Sequence, residues 1–483
     1  MSSAATITLK VFLTVSNKVI INPSKIFTHA ASNDCLYLRK RAGFVIIRAV
    51  KKVFVKTYGC QMNVHESEKL YAAFAREGVT AADGMENADI IVFNTCCVRE
   101  GAETRVLGNL GPVKRLKAER PDIIVAVCGC MTQQADVADK LHKRCPFINI
   151  ITGTYSLGAL PQMVKAVEAG EKFILDLAVD ESVPGGVDEA APSVGVNRFV
   201  NIMYGCNNFC TYCIVPYVKG RERSRRAEDI RRETEMLVRG GAKEITLLGQ
   251  NVNSYRDENG RDFYALLSML AEIDGKFWIK FMTSHPKDLS ENVIRLIGRE
   301  DKLANYIHLP VQSGSDTILK KMNRGYDSAS YLKKIDAVRE HIPGAGITSD
   351  IIVGFPTETE EDFRATLALV EKVRYNNLFM FIYSKRAGTP AAAMDGQIPE
   401  DVKKARIAEL IGVQAKIANE LAEEHIGLTC EALCDGRGRR ATAKTSDDRV
   451  IVFDDEGRNL YNEFVTLEIT AAENSKLYGR LRK

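Results

Sequence analysis

Three thiols spaced C-x3-C-x2-C constrain this chain more than any other feature: Cys206-Asn-Asn-Phe-Cys210-Thr-Tyr-Cys213. Three thiolates can hold a cubane iron–sulfur cluster by three of its four irons. The fourth iron then stays open to a substrate. That open corner separates a catalytic cluster from one that only carries electrons. Phe199–Ile202 reads as a short strand leading into the loop, which puts the thiols at a strand's carboxyl end.

A chain of 483 residues exceeds one ordinary core, and two or three domains are expected. Its 45% hydrophobic and 27% charged residues suit a soluble globular protein. A formal net charge of +4 permits a nucleic-acid partner without demanding one. With 12 cysteines and no secretory signal peptide, metal binding or catalysis is expected in place of a disulfide framework. No apolar run reaches the roughly 18–20 residues needed to cross a bilayer. No membrane partner is expected, and the expected setting is a reducing cytoplasm. Residues 1–50 carry seven Lys or Arg and one acid, Asp34, with only short apolar runs such as Val19–Ile21 and Phe44–Ile47. They fit a targeting segment only in part, for want of a clear amphipathic helix. This unassigned basic leader reads as disordered, or as sequence upstream of the true start.

The organised part opens near Lys51, and residues 51–171 read as one domain. Val53–Val55 reads as a strand ended by Tyr58-Gly59-Cys60; Ile90–Phe93 is followed by Asn94-Thr95-Cys96; Ile123–Val127 leads to Cys128-Gly129-Cys130. Strands alternating with helices predict a three-layer domain around a parallel sheet. The carboxyl ends of such strands share one edge, where ligands bind. Cys60, Cys96 and Cys130 are 36 and 34 residues apart, yet each follows a strand end, so the three are expected to meet. Gly59, Thr95 and Gly129 let the backbone come close to an inorganic core. Cys97 and Cys128 are rival ligands at the same edge. Cys128 is expected to face the core, and neighbours such as Cys96 and Cys97 rarely both aim at one small cluster. Cys35, Cys145, Cys430 and Cys434 read as structural or free.

Residues 172–196, with Pro184-Gly185-Gly186 and Pro192, read as a linker. Beyond it, Glu244–Leu248, Trp278–Met282, Tyr306–Leu309, Ile347–Val353 and Leu378–Ile382 read as further strands, with helices such as Ala227–Val238 and Ser328–Arg339 between them. A run of β/α units over 197–424 predicts a partial or full barrel. The loops Gly249-Gln250-Asn251, Ser284-His285-Pro286, Gln312-Ser313-Gly314 and Gly354–Glu358 would ring its mouth and suit a polar, nucleoside-like cosubstrate. His285 and His308 are candidate ligands or proton carriers, a satisfied structural histidine being the commoner case, and neither is counted among the catalytic residues. Five of the eight residues Lys219–Arg226 are basic, a run that suits phosphates, a carboxylate or plain solvent.

The stretch from Asp401 to about Glu424 reads as a helix, and 425–483 as short strands split by Gly and Asp turns. A module of this size and pattern predicts a small antiparallel β-barrel. Arg437, Arg439, Arg440 and Lys444 give it a basic loop region suited to nucleic acid.

On these residues the chain resembles the radical S-adenosylmethionine (SAM) enzymes. More narrowly it resembles the MiaB-type tRNA methylthiotransferases over about residues 51–483. The matching segments are Thr57–Asn63, Asn94–Cys96 with Val98–Glu100, Gly129-Cys130, Cys206–Pro216 and Arg223–Arg225. The resemblance implies an α/β protein with an amino-terminal methylthiotransferase domain, a TIM-like partial radical SAM barrel and a terminal RNA-binding TRAM barrel. It implies two 4Fe–4S clusters, one on Cys206, Cys210 and Cys213 and an auxiliary one on Cys60, Cys96 and Cys130. It also implies SAM, with Gln250, Ser313 and Arg324 as its expected contacts. The implied partners are a tRNA anticodon stem-loop, a one-electron donor of flavodoxin or ferredoxin type, and a sulfur donor, for an enzyme expected to act as a monomer. The implied reaction places a methylthio group at C2 of N6-isopentenyladenosine 37. Relatives that modify a ribosomal-protein aspartate or threonylcarbamoyladenosine are the alternatives. The family usually has a small residue where Cys97 stands.

Overall fold

The computed structural model describes residues 28–30, 35–40, 43–48, 50–97, 102–183 and 196–482. The chain divides into two compact units, Met1–Lys51 and Lys52–Lys483. In the first, inside the segment read as a leader, Thr28–Ala30, Cys35–Lys40 and Gly43–Arg48 form an antiparallel sheet. Tyr37, Leu38, Val45 and Ile46 favour extended backbone, a local signal that a search for an amphipathic helix passes over.

The second unit opens with a six-stranded, wholly parallel sheet. Its spatial order is Thr80–Ala81, Lys52–Thr57, Ile90–Thr95, Ile124–Gly129, Ile150–Thr152, Ile174–Asp176. The winding therefore reverses between Lys52–Thr57 and Ile90–Thr95. Two central strands are buried from end to end because helices cover both faces. Ile91, Phe93, Val125 and Val127 pack with Val106, Leu110 and Leu141 of helices Ala102–Glu119 and Ala135–Arg144. The alternate residues Ile90, Val92, Ile124 and Ala126 pack with Leu70, Phe74 and Val164 of helices Gln61–Arg76 and Leu160–Glu168. This is the expected three-layer arrangement. The last strand, Ile174–Asp176, falls inside the stretch read as a linker; three residues are too few to register without the edge they pair with. Residues 184–195 of that stretch, and Val98–Glu100, lie outside the described residues.

Six parallel strands follow in sequential order, in two triplets. Asn197–Asn201, Glu244–Leu248 and Trp278–Phe281 form one, and Tyr306–His308, Gly346–Val353 and Asn377–Ile382 the other. A single parallel bridge, Ile279 to Leu303, spans the seam. Helices Ala227–Arg239, Phe263–Ala271, Glu291–Arg299, Ser328–His341 and Glu360–Val373 return the chain between strands. Asp262, Ser290, Asp327 and Thr359 cap the last four by accepting backbone N–H bonds. One core runs from Val200 to Ile417. The result is the expected partial barrel, with all its carboxyl-end loops at one mouth.

Helix Glu400–Glu423 leads to a closed barrel of Thr429–Cys434, Ala441–Thr445, Val450–Phe453, Lys476–Leu481 and Phe464–Glu473. Its pairings are antiparallel except Val450–Phe453 with Lys476–Leu481, which is parallel and closes the ring. Ala441–Thr445 mixes Thr with Ala and Lys, so its own strand signal is weak and its pairing partners hold it in the ring. The barrel docks on the amino ends of the central strands. Phe464 meets Trp278 edge to face with centroids 4.9 Å apart. Buried Lys280 pairs with Glu244 at 2.6 Å and with Asp448 of the terminal barrel at 2.8 Å. Replacing Lys280 with Met should cost about 3–5 kcal/mol, as expected when a buried acid loses its partner. The measurement is urea unfolding; an unchanged midpoint would show that the latch contributes nothing.

Candidate functional site

The sheet edge gathers the thiols as its topology requires. Cys60 and Cys96 flank the point where strand order reverses, the usual ligand crevice of such a sheet. Cys60 is the cap residue of helix Gln61–Arg76. Two buried asparagines lace the loops together. Asn63 Nδ2 donates to the carbonyls of Tyr58 at 2.9 Å and Thr95 at 2.8 Å, and Asn94 Nδ2 donates to the Asn63 carbonyl at 2.9 Å. The Cys130 amide donates to the Thr95 carbonyl at 3.1 Å. Gly59 and Gly129 adopt φ of +104° and +103°. A Cβ on Gly59 would lie 2.6 Å from Cys96 Sγ, and one on Gly129 would lie 2.8 Å from Asn94 Oδ1. Only glycine fits either place.

Electrostatics divides the thiols. A hydrogen bond from Cys96 leads the causes that bring Cys60 down to about 6, helped by the Asn63 amide, Lys219 and the Met62 amide, against burial. Cys130 is lowered first by a hydrogen bond from Cys97. Cys97 is correspondingly raised, first by that bond and then by burial. Cys128 is raised by burial alone in the main, and it packs in the sheet's helix-facing core. It faces away from the crevice, as its strand position predicts. Cys97 does not: both it and Cys96 are buried beside the other thiols. A bend after Thr95, where the strand ends, removes the alternation that would have turned one of them outward.

The C-x3-C-x2-C loop follows Asn197–Asn201 at the barrel mouth. Cys206 and Cys213 are pushed up by burial to about 11 and about 12. Buried Arg324 serves Cys210: its Nη1 lies 3.3 Å from Cys210 Sγ, Nη2 donates to the Pro310 carbonyl at 2.9 Å, and Nε donates to the Tyr326 hydroxyl at 3.0 Å. Ser313 Oγ accepts from the Ser315 amide at 3.2 Å and lies 3.3 Å from Thr366 Oγ1. Gln250 Nε2 donates to Met62 Sδ at 2.8 Å and so joins the mouth to the helix that Cys60 caps. The Gln250 Oε1, Asn251 Oδ1, Ser284 Oγ and His285 Nε2 atoms are buried without a protein partner. His285 is held neutral, first by burial and then by Arg324 and Lys287. Its Nδ1 accepts from the Lys287 amide at 3.2 Å, which leaves Nε2–H as a donor. His308 is bound inside the barrel, Nδ1 to Thr348 Oγ1 at 2.9 Å. Phe209, Thr283, Gln312 and Thr357, all on mouth loops, have φ between +46° and +72°. Non-glycine residues in that region cost about 1–3 kcal/mol each, a strain found at binding sites.

Two of the five basic residues of the run, Lys219 and Arg225, are buried, while Arg221 and Arg226 stay exposed. Lys219 is buried and raised by the charges of Cys130, Glu66 and Cys60, against burial. Arg225 pairs with Glu233 at 2.6 Å in the core. Arg221 stacks on Phe209 and Arg223 on Tyr155. Arg437, Arg439 and Arg440 of the terminal barrel are exposed.

Two family models match the chain: residues 52–153 the Uncharacterized protein family UPF0004, and residues 200–370 the Radical SAM superfamily. The tRNA-2-methylthio-N(6)-dimethylallyladenosine synthase of Caldicellulosiruptor saccharolyticus is 48% identical over 439 residues, 89% of this chain and 92% of the relative. That of Clostridium tetani is 46% identical over 88% of this chain and 95% of its own, and that of Clostridioides difficile 44% over 89% and 91%. The chain belongs to the tRNA-2-methylthio-N(6)-dimethylallyladenosine synthase family. Among solved structures, a radical S-adenosylmethionine methyltransferase from Kitasatospora setae shares the fold, with TM-score 0.53 and 14% identity over 71% of this chain and 75% of that one.

Membership of this radical SAM family implies 4Fe–4S clusters and SAM. The donor sets fit: two groups of buried and half-buried soft thiols, glycine cradles beside one of them, and unpartnered polar atoms at the mouth beside the other. Among the described residues, no group of three or more His, Cys, Asp or Glu is gathered tightly enough for a single metal ion. Sequence reasoning missed the lacing role of Asn63 and Asn94; it placed Ser284 and His285 at the mouth but did not show that Ser284 Oγ and His285 Nε2 are buried without a protein partner. Each is an ordinary polar residue until its burial is known. In reduced, iron-free protein, alkylation of Cys60 by iodoacetamide should rise with a midpoint near pH 6, since its depressed value keeps it a thiolate above that pH. Cys213, raised to about 12, should stay unreacted at pH 8. Equal labelling of the two by peptide mass analysis would contradict the assignment.

Proposed function

We propose that this chain is a tRNA methylthiotransferase that converts N6-isopentenyladenosine 37 to its 2-methylthio derivative and uses two SAM per product. One observation carries the reading. Each family-matched region carries a thiol triplet, and the two thiol loops pack together where Cys97 and Cys130 meet Ile214 and Val218, in a chain 48% identical to a curated synthase of that name. The division into 51–171, 197–424 and 425–483 belongs to the same proposal.

In this reading Cys206, Cys210 and Cys213 hold one cluster and Cys60, Cys96 and Cys130 the auxiliary one. When bound, the clusters and SAM supply the one-electron SAM cleavage, the C2–H abstraction and the sulfur. The chain's own work is placement. Arg324 fixes Cys210 and keeps a cation beside it. Gln250, Ser313 and Arg324 are the proposed SAM neighbours, with Ser313 and Arg324 acting through the strand-end network they stabilise. Neutral His285 adds a donor that needs no protonation change near pH 7. Packed loops keep water from a reactive carbon centre. The target base leaves its stack to enter, at modest cost in an RNA loop. The exposed Arg437, Arg439 and Arg440 grip the anticodon stem-loop, and that basic barrel favours RNA over a ribosomal-protein aspartate. A flavodoxin- or ferredoxin-type donor and a sulfur donor complete the system, with a monomer in the cytoplasm as the working form. Among the described residues no helix is long and apolar enough to cross a membrane.

The test is mass analysis of nucleosides from tRNA incubated with reconstituted protein, SAM, sulfide and a reductant. A 2-methylthio-isopentenyladenosine product is expected. Product only on threonylcarbamoyladenosine, or only on a protein aspartate, would overturn the substrate. Cys210→Ala should abolish 5′-deoxyadenosine. Cys130→Ala should keep some SAM cleavage and lose sulfur insertion.

A further inference from the structure

We propose that Cys97 is a fourth, displaceable ligand of the auxiliary cluster. The inference rests on the reading that Cys60, Cys96 and Cys130 hold that cluster, and it goes beyond the three-thiol site that the reading supplies.

Cys96 and Cys97 are 1% and 9% exposed, so neither side chain turns to solvent. They divide the crevice between them. Cys96 lies against Gly59, on the side of Cys60. Cys97 packs against Cys130 on the opposite side, in a small buried group completed by Ile214 and Val218. Ile214 directly follows the C-x3-C-x2-C loop, and Val218 lies in the short helix Val215–Lys219 that comes next. Cys97 is thus a crevice thiol on the side toward the other cluster loop. An iron left open by Cys60, Cys96 and Cys130 must face that side to meet a substrate shared with the first loop. Cys128, the other extra thiol, lies in the helix-facing core with its Sγ 3.5 Å from the Phe93 carbonyl. The buried Lys219 ammonium beside Cys60 and Cys130 offsets part of the charge of additional thiolate ligation.

A fourth thiolate would close the open iron and keep water and stray ligands away until sulfur arrives. Its departure is a ligand exchange. The bond from iron to Cys97 Sγ breaks, a bond from iron to the incoming hydrosulfide sulfur forms, and the released Cys97 thiolate takes the hydrosulfide proton. No electrons are transferred. The proposal makes Cys97 a gate on sulfur loading.

The experiment uses the full chain with Cys206, Cys210 and Cys213 replaced by Ala, reconstituted with iron-57, with and without Cys97→Ala. Cys97→Ser is carried beside it as the variant that keeps the side-chain volume. About four irons per chain are expected in all three proteins. With Cys97 present, Mössbauer spectra should show four sulfur-ligated irons of one type. In both variants one iron of the four should become distinct, and hydrosulfide should bind at least about tenfold more tightly. A distinct iron already present with Cys97 intact, or equal hydrosulfide affinity in all three proteins, would overturn the proposal. If no cluster assembles even with Cys97 intact, the auxiliary-cluster reading itself fails, a result distinct from either of these.

Discussion

Parallel strands that start together also end together, and here that edge carries thiols. The contacts among Cys60, Cys96, Cys97 and Cys130 depend on hydrogen bonds from two buried amides, Asn63 and Asn94, to the backbone of neighbouring loops. A buried amide left without such bonds costs about 1–3 kcal/mol, against a net contribution of about 0.5–1.5 kcal/mol for the bond when made. The lacing is therefore closely tied to one arrangement of the loops. Two glycines with left-handed backbone allow the close approach that the lacing enforces. Everything the site can do with iron follows from this shape.

The partial barrel repeats the logic with different parts. Its first strand delivers the second thiol loop, and the following strand ends bring polar groups that nothing in the protein satisfies. Strained backbone at four mouth loops shows that these loops are held against their local preference. The Gln250–Met62 contact ties the two mouths directly.

The terminal barrel takes the opposite end. It packs on the amino ends of the central strands through Trp278, Phe464 and the Lys280 ion pairs. A groove of about 350 Å3 runs between it and the helix that Cys60 caps, lined by Val64, Glu68, Asp435, Lys444 and Tyr461. The loop carrying Arg437, Arg439 and Arg440 is therefore on the flank of the thiol domain.

Much of this was legible in the chain. Alternation of strands and helices gave the layers, and thiol position relative to strand ends gave the meeting of Cys60, Cys96 and Cys130. The three-residue strand Ile174–Asp176 was not legible, because pairing with an existing edge is its only support. The basic run Lys219–Arg226 read as a surface, and folding buried Lys219 and Arg225 beside acids and thiols that lie far away in sequence. The sequence by itself determined which residues can ligate iron and in what order the strands carry them, because spacing and strand periodicity are local. Only the tertiary structure decided that Cys97 turns toward Cys130 and stays buried beside Cys96, since side-chain direction past a strand end is set by the packing of loops from different parts of the chain.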